Sequence, residues 1–463
     1  MMEKEQQMST QRKPFKVIVV GGGLVAITAA HILSRANIDF VILEQHDDIT
    51  PWAGSLLAMW PATYRMFNQL GIQDLMLPIL SKLDDYHTIN ADDGSFLHVM
   101  EGVGDMWARN HGYGLGATSR VQFLNTLYGC LPESAKARIH VRKRVTNIEV
   151  LPDGVCVHCE DGTTEDGAIV IGADGVHSRT RQCMEALASG KPEIKADQEV
   201  DSPYLSTYRV MFGNLGETPG LKPRYNYQGV RYGVVAQIVN GEGRGWWYIY
   251  EVLEQPTRRR CRYTEQDKQD MMSKYADLHV APGYRLRDVF ARNVGDIALI
   301  NVEEGRVDRW TWGGRIALVG DAVRKLAPNA GLGYNSGAAD IIELVNRLRR
   351  LLRSTQDSEE GQPSADMLQA EFDEYEKARK APERTVHLVS RLTVRSLAWL
   401  NWGHCLISTW VMRYLPAGQW MIDYLVAPVV ARVPVIEWLE ETGLPPGASP
   451  WIHHPLPKLV DEK

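Results

Sequence analysis

The chain of 463 residues lacks the marks of several large protein classes. It has no excess of Lys and Arg. A net charge of −6 offers no basic surface for phosphates, which argues against a nucleic-acid partner. Cysteine is scarce: six residues are scattered without a disulfide framework, which suits a reducing, intracellular compartment. Cys156 and Cys159 in "CVHC" share an alternating strand pattern with Val155 and Val157, and no second pair lies near to complete a metal site. The 13 histidines show no ligand spacing, so no metal centre is expected. The opening "MMEKEQQMSTQRK" has no apolar core; it does not read as a signal peptide, and residues 1–13 are expected to be disordered.

What is present begins after Pro14, in "FKVIVVGGGLVAITAAHILSRANIDFVILEQ". An apolar, β-branched run predicts a strand buried on both faces. Gly21, Gly23 and Ala26 then fit G-x-G-x-x-G/A, a helical stretch follows, and a second apolar strand ends in Glu44. Glycines let the backbone approach a pyrophosphate, the helix N-terminus supplies partial positive charge, and Glu44 can accept from ribose hydroxyls. Strand, loop, helix, strand and acid together imply a bound dinucleotide. An acid at 44 repels a 2′-phosphate, which leaves NAD or FAD.

Two further strand ends carry glycine and an acid. "AIVIGADGVHSRTR" runs into Gly172 and Asp174, and "RIALVGDAVRKLAPNAGLGYNSG" runs into Gly320 and Asp321 before a second glycine loop. A nicotinamide dehydrogenase needs only the first loop. A longer cofactor with a ribityl chain and a ring needs several strand ends.

These three segments resemble the signatures of the FAD-dependent monooxygenases of the aromatic-hydroxylase class. The resemblance runs from about residue 14 to residue 440, and comes nearest to the fungal meroterpenoid and indole-diterpene epoxidases. It implies an α/β fold: a Rossmann-like FAD-binding domain (14–195 and 290–385), an inserted antiparallel β-sheet substrate domain (196–289) and a hydrophobic helical C-terminal region (386–463). It implies FAD as resident cofactor and NADPH as a transient reductant. Glu44 is expected at the adenosine ribose, Arg120 between ribose and phosphates, and Asp321 at the ribityl or pyrophosphate region. Asp174 and Arg181 fall in the segment that also guides the nicotinamide. Ala58, Gly333 and Tyr334 are expected at the ring end. Ala58 stands where the family often has glycine, Leu332 where it has glutamine, and Tyr334 where it has a small residue. Arg324 lies where many relatives have histidine. The helix after Gly333 would turn its positive end to the flavin.

Alternating strands from Tyr204 to Leu253 predict a sheet roofing a pocket. The resemblance implies an arginine and a tyrosine on it near the substrate, matched by position at Arg209 and at Tyr227, with Tyr225 as the rival tyrosine. The substrate is expected to be a small hydrophobic molecule, with O2 as co-substrate. Epoxidation of a prenylated molecule, hydroxylation of a phenol, and a flavin-binding scaffold with little turnover remain open. From Ser396 to Met412 there is no Asp, Glu, Lys or Arg. That stretch leaves three readings: an interfacial helix on a membrane surface, a single span, or a helix docked on the protein itself.

Overall fold

A computed structural model of the chain describes residues 14–49, 55–190, 201–328, 331–356 and 362–457. The expected disordered start, residues 1–13, lies outside them.

Lys16–Val20 forms a central strand, with its four valine and isoleucine side chains at most 4% exposed. It pairs in parallel with Asp39–Leu43 on one side and Ile169–Gly172 on the other. Ile139–His140 and Ile316–Leu318 extend this parallel sheet, and Thr311–Trp312 closes one edge antiparallel. A strand with no polar face needs helices on both sides. Leu24–Ala36 and Leu332–Thr355 supply one such layer, packed so closely that a Cβ at Gly337 would lie 2.6 Å from Val25. Cys156 and Cys159 sit in an antiparallel meander (Val145–Leu151, Gly154–Cys159, Thr164–Gly167), and neither is in a disulfide.

The second sheet has eight strands, in the order Arg324–Lys325, Asn293–Arg306, Leu205–Leu215, Gly245–Thr257, Val234–Asn240, Tyr225–Arg231, Asp85–Asn90 and Phe96–Met100. All pairings are antiparallel except Tyr225–Arg231 with Asp85–Asn90. Residues 85–100, expected within the first unit, therefore complete this sheet, so it is not built from one continuous insertion. Both of its faces are covered. The inner face, including Tyr208, Val210, Tyr248 and Tyr250, packs in one apolar cluster with Leu326, Ala327 and Leu332. The outer face, including Met211, Tyr227, Trp247 and Ile249, lies under Glu265–Tyr275 and Leu286–Phe290. Each large apolar side chain buried in this way contributes about 1.5–3 kcal/mol.

The helix Ala365–Leu397 contains Pro382, which removes one backbone donor from its ladder. Short helical pieces follow as far as Ala427–Ala431. Beyond them no described residue is helical, which corrects the expectation of a helical tail to the end. Residues 432–457 form a strap. Arg65, 2% exposed, donates to Glu441 at 2.8 Å and to the His453 carbonyl at 2.7 Å. Gln69 donates to the Ile436 and Leu439 carbonyls at 2.8 and 2.9 Å. Among the described residues no helix is long and apolar enough to cross a membrane.

Candidate active site

The first glycine loop has two crowded glycines, Gly21 and Gly22, and one open one, Gly23. Gly21 has φ +103°, a conformation that L side chains rarely adopt, and a Cβ there would lie 2.7 Å from the Ala173 carbonyl oxygen. This glycine is what lets the first loop touch the second strand end beside Asp174. The Gly22 amide donates to Glu44 Oε2, and the His46 amide donates to Oε1 at 2.8 Å, so the 7%-exposed carboxylate is fixed against the loop. At Gly23 a Cβ would meet nothing within 4 Å. The helix it opens has no side-chain cap and no acid in its first turn, so its free amides face that open space. Ala26 is fully buried and lets helix and sheet pack closely.

Asp174 Oδ2 accepts from the Thr180 amide and hydroxyl, both at 2.9 Å. Its Oδ1 is buried with no partner among the described residues. Arg181, expected to guide a nicotinamide, is only 3% exposed and does something else. It donates to the Ala322 and Val176 carbonyls at 2.8 Å and lies over the Tyr204 ring, whose hydroxyl donates to the Asp321 carbonyl at 2.9 Å. Arg181 and Tyr204 thus fasten the third strand end to the second.

The Asp321 side chain pairs with Lys325. A Cβ on Gly333 would have Asp321 Oδ1, at 3.9 Å, as its nearest neighbour, so this loop too leaves room. Gly331 is the opposite case: φ is +63°, and a Cβ would come within 2.4 Å of the Ala58 Cβ. Asn335 locks that approach. Its Oδ1 accepts from the Trp60 amide at 3.0 Å and the Thr63 hydroxyl at 2.6 Å, and its Nδ2 donates to the Ala58 and Gly331 carbonyls at 2.9 and 2.6 Å. Helix Leu332–Thr355 again begins with no side-chain cap and no acid in its first turn. Tyr334 does not fit the expectation that it lies beside a ring. It is turned inward, 6% exposed, hydrogen-bonded to Thr28 at 3.0 Å and edge-on to Phe123 at 5.0 Å. With the first helix immediately behind the loop, an aromatic residue at 334 fills that gap from the rear. Arg120 opens the helix that carries Phe123. Its amide donates to the Ser55 carbonyl, and its exposed guanidinium makes no ion pair among the described residues.

The structure thus joins Glu44, Gly21, Gly23, Asp174, Asp321, Gly333 and Ala58 through successive contacts. It leaves two open glycines, two uncapped helix N-termini and one orphaned buried carboxylate oxygen. That set fits one long cofactor with a ribose at Glu44, a diphosphate near Gly23 and a ring near Gly333.

Arg209 and Tyr227 lie elsewhere. In Leu205–Leu215 the even-numbered residues face inward and the odd-numbered ones outward. Arg209 Nε therefore donates to Glu251 at 2.5 Å on the outer face, where Glu251 also accepts from Lys274 at 2.6 Å and Tyr275 at 2.5 Å. Tyr227 belongs to the outer cluster, and its hydroxyl accepts from the Lys222 amide at 2.9 Å. Their neighbours along the strands lie on the inner face. Tyr208 is fully buried and its hydroxyl has no hydrogen-bond partner among the described residues, and Tyr248 hydrogen-bonds Ser55 at 2.6 Å and stacks between Phe212 and Tyr250. Burial pushes both the Tyr208 and Tyr248 phenols up to about 12, so they stay neutral donors. The signal that could have found them was the strand period applied to "YLSTYRVMFG". Arg209→Ala is accordingly expected to lower thermal stability, since it strips one partner from Glu251, while KM for the organic substrate stays unchanged. Tyr208→Phe should do the reverse, and steady-state kinetics beside a melting curve separates the two.

The FAD-binding domain family matches residues 14–360. Over 84% of its length the chain is 34% identical to the FAD-dependent monooxygenase srdH of Neurospora crassa, covering 88% of that protein. It is 32% identical to the FAD-dependent monooxygenase spyC of Aspergillus fumigatus, over 85% of this chain and 82% of that one. Klebsiella pneumoniae HpxO complexed with FAD and uric acid shares the fold at TM-score 0.70 and 20% identity, over 90% of this chain and 97% of the other. The chain belongs to the FAD-binding domain family and is an FAD-dependent monooxygenase.

Proposed function

We propose that the protein uses NADPH and O2 to epoxidise an alkene of a hydrophobic, prenylated substrate in secondary metabolism. The balance is alkene, O2, NADPH and a proton giving epoxide, NADP⁺ and water. Bound FAD supplies the two-electron relay between NADPH and oxygen. Glu44 holds the ribose and keeps the resident site closed to a 2′-phosphate by charge. The amides before Leu24 and Leu332 meet negative charge at the two ends of the cofactor. The sheet shields the reacting region from water.

One observation carries the choice of substrate. The wall made by Tyr208, Val210, Val230, Val235, Tyr248 and Tyr250 offers mainly apolar surface and neutral hydroxyls. An alkene is already nucleophilic and needs no base. Phenol hydroxylation gains from a group that takes or stabilises the phenolic proton's charge, and Arg209, the residue expected for that, lies on the other face. The test is turnover of the FAD-loaded chain with a prenylated phenol and a simple phenol under labelled O2. The expected result is substrate-stimulated NADPH oxidation and one labelled oxygen in an epoxide of the prenyl chain. Ring hydroxylation of either compound would replace this reading, and FAD that NADPH never reduces would favour a scaffold.

A further inference from the structure

The short helices after Leu397 have two sides. Their inner side is part of the wall described above: Ala398, Trp399, Ile422, Val426 and Val430 are at most 6% exposed and share one apolar cluster with Leu326, Ala327 and Leu332. Their outer side is apolar as well and is uncovered among the described residues. Trp402 is 77% exposed, Trp410 61%, Tyr414 63% and Tyr424 78%, with Leu406 and Trp420 almost half exposed. Monomeric soluble proteins rarely leave such a patch bare without a use for it.

These residues recur at intervals of four: 402, 406, 410 and 414 in the first run, 420 and 424 in the second. In a regular α-helix of about 3.6 residues per turn that spacing drifts around the axis. Here Ile407–Val411 and Met421–Val426 are π-helical. The wider turn, closed by i→i+5 bonds, keeps residues four apart nearer one line. The Trp410 and Tyr414 rings sit 5.5 Å apart, and the Arg413 guanidinium lies against Tyr414 and Phe96.

We infer that this face docks on the interfacial layer of a lipid bilayer. Three features select that occupant. The exposed groups are mainly Trp and Tyr, whose apolar bodies and polar tips suit the headgroup boundary. Between Ser396 and Ala431 the only Asp, Glu, Lys or Arg residues are Arg413 and Asp423, and Asp423 is neutralised by Arg109 at 3.0 Å. The face thus has little charge to desolvate. A protein partner, by contrast, needs about ten hydrogen bonds across a typical interface, and this stripe has few groups to make them. The face lies on the reverse of the layer that walls the substrate region, so a lipid-dissolved substrate would have a short path inward. That last consequence rests on the proposed function; the docking itself does not.

Flotation of the FAD-loaded full chain with phosphatidylcholine vesicles tests this, with no substrate or NADPH present, so that its failure is distinct from failure of the epoxidase reading. The wild-type chain is expected to rise with neutral vesicles, with no requirement for phosphatidylserine and with a blue shift of tryptophan emission. The variant W402S/W410S/W420S should lower partition roughly tenfold or more, with flavin absorbance and elution volume unchanged. A wild-type chain left in the aqueous layer overturns the inference, as does a triple variant that floats equally well. Self-association abolished by the triple variant, without vesicle binding, would assign the face to a second copy and overturn it too.

Discussion

Arg324→Met is expected to destabilise the chain by about 3–5 kcal/mol and to yield protein that loses FAD. Arg324 is 2% exposed and sits between two buried carboxylates. Its Nη2 lies 2.9 and 2.8 Å from the two Asp340 oxygens, and its Nε 2.7 Å from Glu383. Arg379 donates to Asp340 at 2.8 Å, so two guanidiniums face two carboxylates in a space closed to water. Burial opposes the charge on Arg324, but Asp340 and Glu383 outweigh it and hold its pKa above the ordinary value. At Glu383 burial, aided by the Asp340 carboxylate, outweighs Arg324 and Arg379 and raises its pKa. Removing the arginine leaves net negative charge with no solvent to absorb it.

The cofactor effect has a separate route. Asp340 Oδ2 also accepts from the Gly320 amide at 2.9 Å, and Gly320 holds φ +62° at the turn into Asp321. Loss of Arg324 therefore loosens the loop at the flavin end. Denaturant unfolding and FAD titration of Arg324→Met measure the two effects. A stability change below about 1 kcal/mol would place the cluster among ion pairs that contribute little. Arg324→Met with Glu383→Gln should recover part of the loss, because the second change removes one stranded charge.

The first half of this site was legible because its physics is local. A buried strand, glycines at two-residue spacing, a helix and an acid fall within one stretch from Phe15 to Glu44, and the structure places each as read. Asp174 and Asp321 were legible for the same reason, each ending a strand. The sheet was harder. Val234–Asn240 is buried at every position, so no polar and apolar alternation survives to reveal which face is inward. A shift of one residue turns every side chain to the other face, and that one step separates the outward Arg209 from the inward Tyr208. Matching position to the resembled family drew the choice to Arg209 and Tyr227, but the outer face has its own helices and needs its own buried pair. Tyr334 misled for a different reason. Its environment comes from Thr28 and Phe123, far away in the chain, and no local pattern encodes them. The strap from residue 432 onward was hidden similarly, since its anchors are Arg65, Gln69 and Asn346.

Gly23→Val is expected to leave the empty protein as stable as the parent and to weaken FAD binding about a hundredfold, near 2.8 kcal/mol. The folded chain does not need a glycine there. Gly23 has φ −75°, which valine tolerates, and an added Cβ meets no protein atom within 4 Å. What the branched side chain would occupy is the space before the helix N-terminus, where unpaired amides meet a diphosphate. Gly21→Ala is the control with the opposite cause. It forces a side chain into a φ of +103° and against the Ala173 carbonyl, so it should lower stability before any ligand is added. Melting curves without cofactor, followed by FAD titration, distinguish the two. If Gly23→Val binds FAD as tightly as the parent, the diphosphate does not lie at this helix. The order of cofactor parts drawn from Glu44 through Gly23 to Gly333 would then be wrong, even though the family would stand.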